Sequence, residues 1–563
     1  MASISLRAVR PVLPICRSRI VPALPRLIRF YSSKKKGNSL ATSRPELLPE
    51  ARQKQFQDSN IDLYPRINNS GKIQTFEEFT KNFHAIDVGV IDDTQMITVR
   101  GRINNYRDVS SKLIFYDLVQ DGAKLQAVFN YSRVGGNVDD FRNTAMLTRI
   151  GDIVSITGHP GRTPAGELSL FAKAHMDVLS PCLHTPPTRI LSQEKRHQNR
   201  HIDLMVSPTA TQILRLRSHI IQHLREQFLD RNFVEVQTPI MAEEAGGAIA
   251  RPFLTEATAY RGKKLALRIA PELWLKRLVI GGMDRVFEIG TQFRNEGIDA
   301  THNPEFTTCE FYQAYAGLED LIGFTETLFS TLAQKVRVLK EEKFKNLDQL
   351  EIGFDSPFKR LEFIPALEQA MGRPLPDLDT QPEEDVRAQL RNLLRELGIA
   401  EPESPTVPRI LDKLSGAYLE PLCQEPTFIT HHPEALSPLA KTSIRDNRRV
   451  TERFELIIGG KELVNAYEEE NSPIEQRRKF QMQLQWKDEE NSTPEVEGGV
   501  DEVYCAALEW GLPPTGGWGL GVDRLCMLFA GVDKISEVLT FGGLRGAVNQ
   551  GGVQHQQRET KEE

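Results

Sequence analysis

The stretch from 286 to 315 constrains the fold more than any other part of the chain. It reads VFEIGTQFRNEGIDATHNPEFTTCEFYQAY. Apolar residues alternate as far as Phe293, which is the period of a β-strand. The chain then turns through Asn295-Glu296-Gly297 and returns as a second strand over Glu305–Tyr312. A β-hairpin with polar residues at its lip is therefore predicted.

The lip of this hairpin carries groups that suit a nucleotide. The guanidinium of Arg294 could lie beside a phosphate, and the carboxylate of Glu296 beside an exocyclic amine. Phe306 could stack on a purine. An isolated Arg–Glu pair is usually a surface salt bridge. That alternative explains poorly the other polar and aromatic residues on the hairpin, which are His302, Asn303, Glu310 and Tyr312.

A second informative stretch, 452–471, reads ERFELIIGGKELVNAYEEEN. Glu455 and Glu462 stand on either side of a Gly459-Gly460 turn, so adjoining strands could bring them face to face. Paired carboxylates near a triphosphate are the usual means of holding Mg²⁺. The alternative is a half-buried strand with a solvated polar face. Three residues alternate with period two and would point to one face, namely Asn465, Tyr467 and Glu469.

The third stretch, 513–529, reads PPTGGWGLGVDRLCMLF and predicts a glycine-rich strand that enters an apolar helix. Arg524, one turn into that helix, would suit a phosphate oxygen. The stretch lacks the βαβ context of a dinucleotide fingerprint. From Pro239 to about residue 548, strands and helices mix without βαβ alternation, which favours an antiparallel α+β domain. A long amphipathic helix capped by Ser207 precedes it.

Residues 96–180 predict a small β-barrel. A helix over Val138–Thr148 falls between the third and fourth of five short strands, which is the order of an OB-fold, a common single-stranded nucleic-acid reader. The five predicted strands are Met96–Ile103, Lys112–Val119, Lys124–Tyr131, Ile153–Gly158 and Glu167–Val178.

The amino-terminal 45 residues contain several arginines and no acidic residue, a composition typical of a mitochondrial import leader. The alternative is a disordered basic terminus. The leader is expected to end after Tyr31.

The sequence contains no run of about 18 apolar residues, so no membrane-spanning helix is predicted. A net charge of −6 argues against a generally basic RNA coat but leaves room for a local RNA site. The six scattered cysteines predict neither a zinc site nor a disulfide framework.

Together the three stretches resemble motifs 2 and 3 of the class II aminoacyl-tRNA synthetases. The segments FRNEGID, HNPEFT, EFYQAYA, HPEALSPLAK and PPTGGWGLGVDRL are similar to lysyl-tRNA synthetases. The strand that ends at Pro239 lies where motif 1, the dimer element, would be. The resemblance spans roughly 95–545. It implies a homodimer that uses ATP and Mg²⁺ to activate L-lysine as lysyl-adenylate and transfers it to tRNA(Lys). The composition of the leader predicts that the enzyme works in the mitochondrial matrix.

For the nucleotide, the resemblance implies two catalytic arginines. Arg294 would bind the α-phosphate and the lysine carboxylate, and Arg524 would lie close to the γ-phosphate. Phe306 and Arg524 would sandwich the adenine, whose amine Glu296 would contact. The other implied ligands of ATP are His302, Asn303 and Glu455, and those of Mg²⁺ are Glu455 and Glu462.

For the amino acid, Glu272 would take the α-amino group, helped by backbone around Gly246. Glu310 and Glu469 would converge with the Tyr312 hydroxyl at the pocket end. Two carboxylates desolvated together repel unless a cation lies between them, and a substrate ammonium supplies that cation. A neutral analogue would be rejected by about 10⁴ or more. The remaining implied contacts are Asn465 and Tyr467; the family often has Phe at the latter position.

In the barrel, Arg107, Phe115 and Gln126 match the positions by which this subgroup reads the central anticodon base. Stacking on Phe115 could contribute about 1–3 kcal/mol. The alternative is a phenylalanine of the barrel core.

Three competing functions remain open. The pocket glutamates disfavour an aspartyl- or asparaginyl-type enzyme. An inactive RNA-binding paralogue predicts loss of the catalytic groups, all of which are present. Lysine ligases that act on proteins lack the barrel. The expected division of the chain is a leader (1–31), an extension (32–90), an OB-fold anticodon-binding domain (91–182), a linker (183–206), a catalytic domain (207–548, with a helical insertion at 340–430) and a disordered tail (549–563).

Overall fold

The computed structural model describes residues 48–548 except 60, 68, 70, 244, 245, 247–249 and 491–499. The predicted leader and the predicted tail therefore lie outside the described residues. The chain divides into two compact units between Leu183 and His184.

The first unit is a closed barrel. Strands β2 to β6 close on themselves in the order β2-β3-β4-β6-β5-β2, with β4 and β6 parallel and the other pairs antiparallel. The predicted OB-fold is thus confirmed. Its elements are α1 (Pro49–Asp58), β1 (Lys72–Ile73), α2 (Phe76–Phe83), β2 (Ile97–Ser110), β3 (Leu113–Gln120), β4 (Ala123–Asn130), α3 (Tyr131–Val134), α4 (Val138–Leu147), β5 (Ile153–Arg162), β6 (Leu168–Ala172) and β7 (Asp177–Ser180).

One barrel strand differs from its prediction. The expected strand Glu167–Val178 is interrupted over 173–176. Its first part, β6, lies between β4 and β5 and closes the barrel, whereas β7 pairs with the beginning of β5 alone. Side-chain alternation continued across the gap, so the sequence did not reveal the change of partner.

The second unit is built on an eight-stranded sheet. Its helices are α5 (Gln193–Gln198), α6 (Arg200–Val206), α7 (Pro208–Leu229), α8 (Glu272–Ile280), α9 (Leu318–Glu342), α10 (Phe363–Met371), α11 (Glu383–Glu396), α12 (Val407–Tyr418), α13 (Pro473–Glu490), α14 (Glu502–Leu508), α15 (Val522–Ala530), α16 (Ile535–Val538) and α17 (Leu544–Val548). Its strands are β8 (Val234–Glu235), β9 (Met241–Ala242), β10 (Leu254–Glu256), β11 (Lys264–Leu267), β12 (Arg285–Phe293), β13 (Glu305–Ala314), β14 (Lys359–Glu362), β15 (Thr427–Thr430), β16 (Thr442–Arg445), β17 (Arg448–Thr451), β18 (Arg453–Ile458), β19 (Lys461–Glu468) and β20 (Thr515–Gly521).

The sheet has the order β14-β15-β18-β19-β20-β13-β12-β8 and is antiparallel except at its two edge pairs. This confirms the predicted α+β class. The predicted hairpin is the pair β12 and β13. The strand expected just before Pro239 is only the short β8. The main helical segment between β14 and β15 runs from α10 to α12, and those two strands belong to the sheet itself.

One face of the sheet makes the core of this unit. Alternate residues of the central strands, such as Phe311 and Trp518, point to that face and stack with ring centroids 5.3 Å apart. Phe228 of α7 packs against Phe287 at 4.7 Å. The helix begins at the predicted cap, where the Ser207 side chain accepts from the Ala210 amide at 3.3 Å. The opposite face of the same strands is left for polar residues.

Candidate active site

A row of glycines forms the floor of the polar face. In β20, Gly517 pairs with residues of both neighbouring strands, and so does Gly519. Paired residues of a ladder point to the same face. A Cβ on Gly517 would overlap Oε1 of Glu469 and lie 2.7 Å from Cε1 of Tyr312, so only glycine fits there. The polar side chains on either side of the row are Glu310 and Tyr312 from β13, and Asn465 and Tyr467 from β19.

Three buried carboxylates meet at one end of this floor, those of Glu272, Glu310 and Glu469. Lys276, fully buried one turn after Glu272 on α8, lies between two of them. Its Nζ donates to Oε1 of Glu272 at 2.6 Å and forms an ion pair with Glu469. Tyr467 also donates to Oε1 of Glu272, at 2.6 Å. The structure therefore brings together the residues predicted for the amino acid, with a cation already among them.

Glu310 differs from the other two carboxylates because its contacts are weak. It accepts from Thr308 Oγ1 at 3.3 Å and from Tyr312 Oη at 3.5 Å. Burial, together with the nearby charge of Glu272, raises the pKa of Glu310 to about 8. Among the described ion pairs, none includes this carboxylate.

Glu469 has a partner that the sequence interpretation did not include. The sequence predicted a substrate ammonium between Glu310 and Glu469, and in the structure Lys276 also forms an ion pair with Glu469, on the side of Glu272. Burial raises the pKa of Glu469 well above its usual range, against the opposing charge of Lys276. In the described part of the chain neither Glu469 oxygen accepts a well-aligned hydrogen bond, despite the close ion pair. The carboxylate thus keeps acceptor capacity toward the pocket.

The nucleotide side lies at the lip of the hairpin. The guanidinium of Arg294 is 5.1 Å from the Phe306 ring centroid, and its Nε donates to the Ile269 carbonyl at 3.4 Å. Arg524 donates to the Glu462 carbonyl at 2.9 Å, and its Nη2 lies 3.0 Å from His302 Nε2. Phe306 therefore contacts Arg294, while Arg524 is joined to the hairpin through His302.

Two predicted nucleotide residues of the hairpin have different environments. Glu296 is exposed at the turn. The amide of Asn303 is already engaged, because its Nδ2 donates to the Glu305 carbonyl at 2.6 Å and its Oδ1 accepts from the Leu544 amide at 3.1 Å. Asn303 thus ties the loop to α17, the last helix of the described residues. Gly246, predicted to offer backbone to the amino group, lies beside Leu273 of α8.

Glu455 and Glu462, the predicted Mg²⁺ ligands and from here on the metal pair, point to the same face of the sheet because the ladder between β18 and β19 contains a β-bulge. Glu455 pairs with Asn465, and the ladder then skips Leu463 so that Ile457 pairs with Glu462. Without the skipped residue, Glu462 and Asn465 would point to opposite faces, because side chains alternate along a strand. The bulge therefore puts both carboxylates on the polar face.

The charges around the pair are unequal. Burial acts to raise the pKa of Glu455, but Arg453 and His432 outweigh it and hold that pKa below its usual range. Burial and the charge of Glu455 raise the pKa of Glu462. Two adjacent carboxylates suit Mg²⁺, which takes one or two from the protein and the rest from phosphate and water. Among the described residues, no group of three or more His, Cys, Asp or Glu forms a complete metal site.

The sequence interpretation missed Lys276, Arg453 and His432. Arg453 donates to Asn465 Oδ1 at 2.9 Å and forms an ion pair with Glu455. The local signals existed, since Lys276 stands four residues after Glu272 on a helix and Arg453 two before Glu455 on a strand.

In the barrel unit, the residues predicted for the anticodon lie on neighbouring strands. Arg107 and Phe115 are paired between β2 and β3, with the guanidinium 5.4 Å from the ring centroid. Phe115 is half-buried and does not belong to the barrel core. Gln126 is buried, donates to Glu167 Oε2 at 2.9 Å and accepts from Ser169 Oγ at 3.0 Å.

Over the part of the chain that the structure describes, no helix has the length and apolar character needed to cross a membrane.

Residues 192–545 match the family model of class II tRNA synthetases for D, K and N, and residues 97–175 match that of OB-fold nucleic-acid-binding domains. The mitochondrial lysine–tRNA ligase of Schizosaccharomyces pombe is 41% identical over 88% of this chain and 93% of its own. The mitochondrial lysine–tRNA ligase of Saccharomyces cerevisiae is 38% identical over 79% and 81%. The lysine–tRNA ligase of Aquifex aeolicus is 38% identical over 80% and 73%.

Proposed function

The chain belongs to the class II tRNA synthetases as a lysine–tRNA ligase, and from this premise we propose that the site on the glycine floor converts L-lysine and ATP into lysyl-adenylate. The third substrate is tRNA, which we infer to be tRNA(Lys). The observation that carries the assignment to this site is the cluster of three buried carboxylates, two of which are paired with the buried ammonium of Lys276.

The charges of the pocket match those of lysine. The α-ammonium binds Glu272 beside Gly246, and the side-chain ammonium binds Glu310 and Glu469 with Tyr312. The substrate carboxylate points to Arg294, and Asn465 and Tyr467 complete the wall. Aspartate would bring a negative charge among unpaired carboxylates, which is costly in a buried site. The aspartyl alternative is thereby disfavoured.

Catalysis follows from positioning and electrostatics. An oxygen of the lysine carboxylate attacks the α-phosphorus in line, and the bond to pyrophosphate breaks. Arg294 and Arg524 stabilise the charge that develops on the phosphates. The ribose hydroxyl of the tRNA then attacks the carbonyl carbon of the adenylate, and AMP leaves. No side chain is required as a covalent nucleophile.

The other ATP contacts of the proposal are Glu296 and Phe306 on the adenine and His302 and Asn303 in the loop. Glu455 and Glu462 would hold Mg²⁺, which supplies positive charge to the phosphates when bound. Arg524 lies 3.5 Å from a carboxylate oxygen of Glu462, so the arginine and the metal pair would face the same phosphates.

We also propose anticodon reading by Arg107, Phe115 and Gln126. The half-exposed Phe115 ring offers a stacking surface beside a guanidinium.

A homodimer is supported by apolar side chains exposed around the motif 1 position, Leu229, Val234, Ile240 and Met241. A location in the mitochondrial matrix is supported by the acid-free, arginine-rich residues 1–31.

Amino-acid-dependent ATP–pyrophosphate exchange tests the proposal. Lysine should support exchange, while aspartate, asparagine and arginine should not. Glu310→Gln should raise the KM for lysine by about 30-fold or more, because the substrate ammonium loses a buried charged partner, and should leave the KM for ATP unchanged. Equal exchange with aspartate, or none with lysine, would overturn the assignment.

A further inference from the structure

Lys276 is a buried cation that the reaction outlined above does not use. Its side chain is 0% exposed and is held between Glu272 and Glu469. Its Nζ also lies 5.7–5.8 Å from the ring centroids of Tyr312, Tyr467 and Tyr504. A charge so fully removed from water is retained only where its partners compensate for the lost hydration.

The charge count of the pocket depends on this lysine. When all three carboxylates are ionised, the ammonium of Lys276 offsets one negative charge and leaves two for the substrate to neutralise. L-Lysine carries two ammonium groups, one at each end of the pocket. Without Lys276 the same substrate would leave one carboxylate unpaired in a buried site.

We propose that Lys276 is a specificity-determining residue, which supplies the third cation of the pocket so that two substrate ammonium groups complete its neutralisation. This inference rests on the proposed function of the site. Lys276 acts on the substrate through Glu272 and Glu469, which it holds in place.

The geometry of Glu272 supports such a division of labour. Lys276 and Tyr467 both donate to its Oε1, and the described contacts leave Oε2 to accept from the substrate α-ammonium. The Tyr467 hydroxyl adds a second donor on the same oxygen. Glu310, which belongs to none of the ion pairs among the described residues, remains for the side-chain ammonium.

Loss of the Lys276 charge has a defined consequence. One of the three carboxylates would then keep a proton. If that carboxylate is Glu469, it is neutral and no longer offers a negative charge to the side-chain ammonium of lysine. The groups that face Lys276 and the carboxylates are Glu272 from α8, Glu310 and Tyr312 from β13, Tyr467 from β19 and Tyr504 from α14, with Arg294 beside Glu310 and Arg453 beside Tyr467.

The experiment compares L-lysine with L-norleucine, which has the same chain without the side-chain ammonium, in ATP–pyrophosphate exchange from pH 6.5 to 9.5 with the full-length enzyme. Lys276→Met should lower the ratio of the two kcat/KM values by about tenfold or more. It should also move the acid limb of kcat/KM for lysine to higher pH, and leave the KM for ATP within about twofold.

Lys479→Met is the matched control, because Lys479 is a buried lysine paired with Glu470 at 2.7 Å outside the pocket. It should change neither the ratio nor the acid limb. A second comparison covers the case in which Lys276→Met fails to fold. The double variant K276M/E469Q removes both charges of the pair, so it should discriminate lysine from norleucine better than E469Q alone.

An unchanged ratio and limb in folded Lys276→Met, the same changes in Lys479→Met, or a double variant no better than E469Q would overturn the role of Lys276. Wild-type enzyme without lysine-dependent exchange would instead overturn the proposed function, and this inference with it.

Discussion

Replacing Gly517 by alanine tests whether the glycine floor sets the position of the pocket carboxylates. The new Cβ would overlap Oε1 of Glu469 and lie 2.7 Å from Cε1 of Tyr312. Both neighbours are buried, and Glu469 is held by Lys276. Neither can therefore move away without losing a contact.

The expected cost can be bounded from these contacts. Overpacking a buried site costs about 1–3 kcal/mol, and displacing Glu469 from its buried ion pair could bring the total toward about 3–5 kcal/mol. We expect Gly517→Ala to lower the free energy of unfolding by an amount in this range. Because Glu469 would leave the pocket, the KM for lysine should rise by about tenfold or more, with the KM for ATP unchanged.

Urea denaturation and ATP–pyrophosphate exchange measure the two effects. Gly519→Ala is the matched control for stability, since its Cβ would meet its nearest atoms at 3.6 Å, an ordinary contact, and should change the free energy of unfolding by less than about 1 kcal/mol. A Gly517→Ala enzyme with the stability and lysine KM of the wild type would refute the proposed arrangement of the floor.

Four further predictions concern other parts of the molecule. Burial raises the pKa of Glu310 to about 8, and only its ionised form pairs with an ammonium. The kcat/KM for lysine should therefore rise about tenfold per pH unit below that value, and a flat profile from pH 6.5 to 9 would contradict this. Arg524→Ala should lower the single-turnover rate constant for adenylate formation by about 10²–10³-fold, because the phosphates lose a charged donor. Phe115→Leu should weaken tRNA binding by about 1–3 kcal/mol and leave pyrophosphate exchange intact; equal loss of both would point to misfolding. Arg52→Met should destabilise the barrel unit by about 3–5 kcal/mol, because the fully buried carboxylate of Asp152 would lose the guanidinium that now lies 2.6 Å away. Hydrogen exchange of residues 48–183 at increasing urea concentration would measure the change in the free energy of unfolding.

The metal pair shows how a small irregularity can decide a site. Period-two alternation predicted correctly that Asn465 and Tyr467 share a face, but the same rule puts Glu462 on the other face. The skipped residue Leu463 reverses that outcome and packs into the apolar core. A bulge depends on how two strands pair, and a single strand does not record its partner's register.

What the amino-acid sequence determined by itself was local or repeated along the chain. The β12–β13 hairpin followed from alternation on both sides of an Asn-Glu-Gly turn, and the beginning of α7 followed from Ser207 and Pro208. The barrel followed from five short strands around the helix α4, although the break within the last of them did not. Each of these features depends on the few residues that form it.

Only the tertiary structure decided which charges meet. Lys276 and Glu469 come from distant parts of the chain, and no periodicity relates them. Their contact depends on how α8 packs on the sheet and on a central strand whose glycines leave space above it. Burial then determines the strength of each pair, because a charge removed from water interacts far more strongly with its neighbours than an exposed one does.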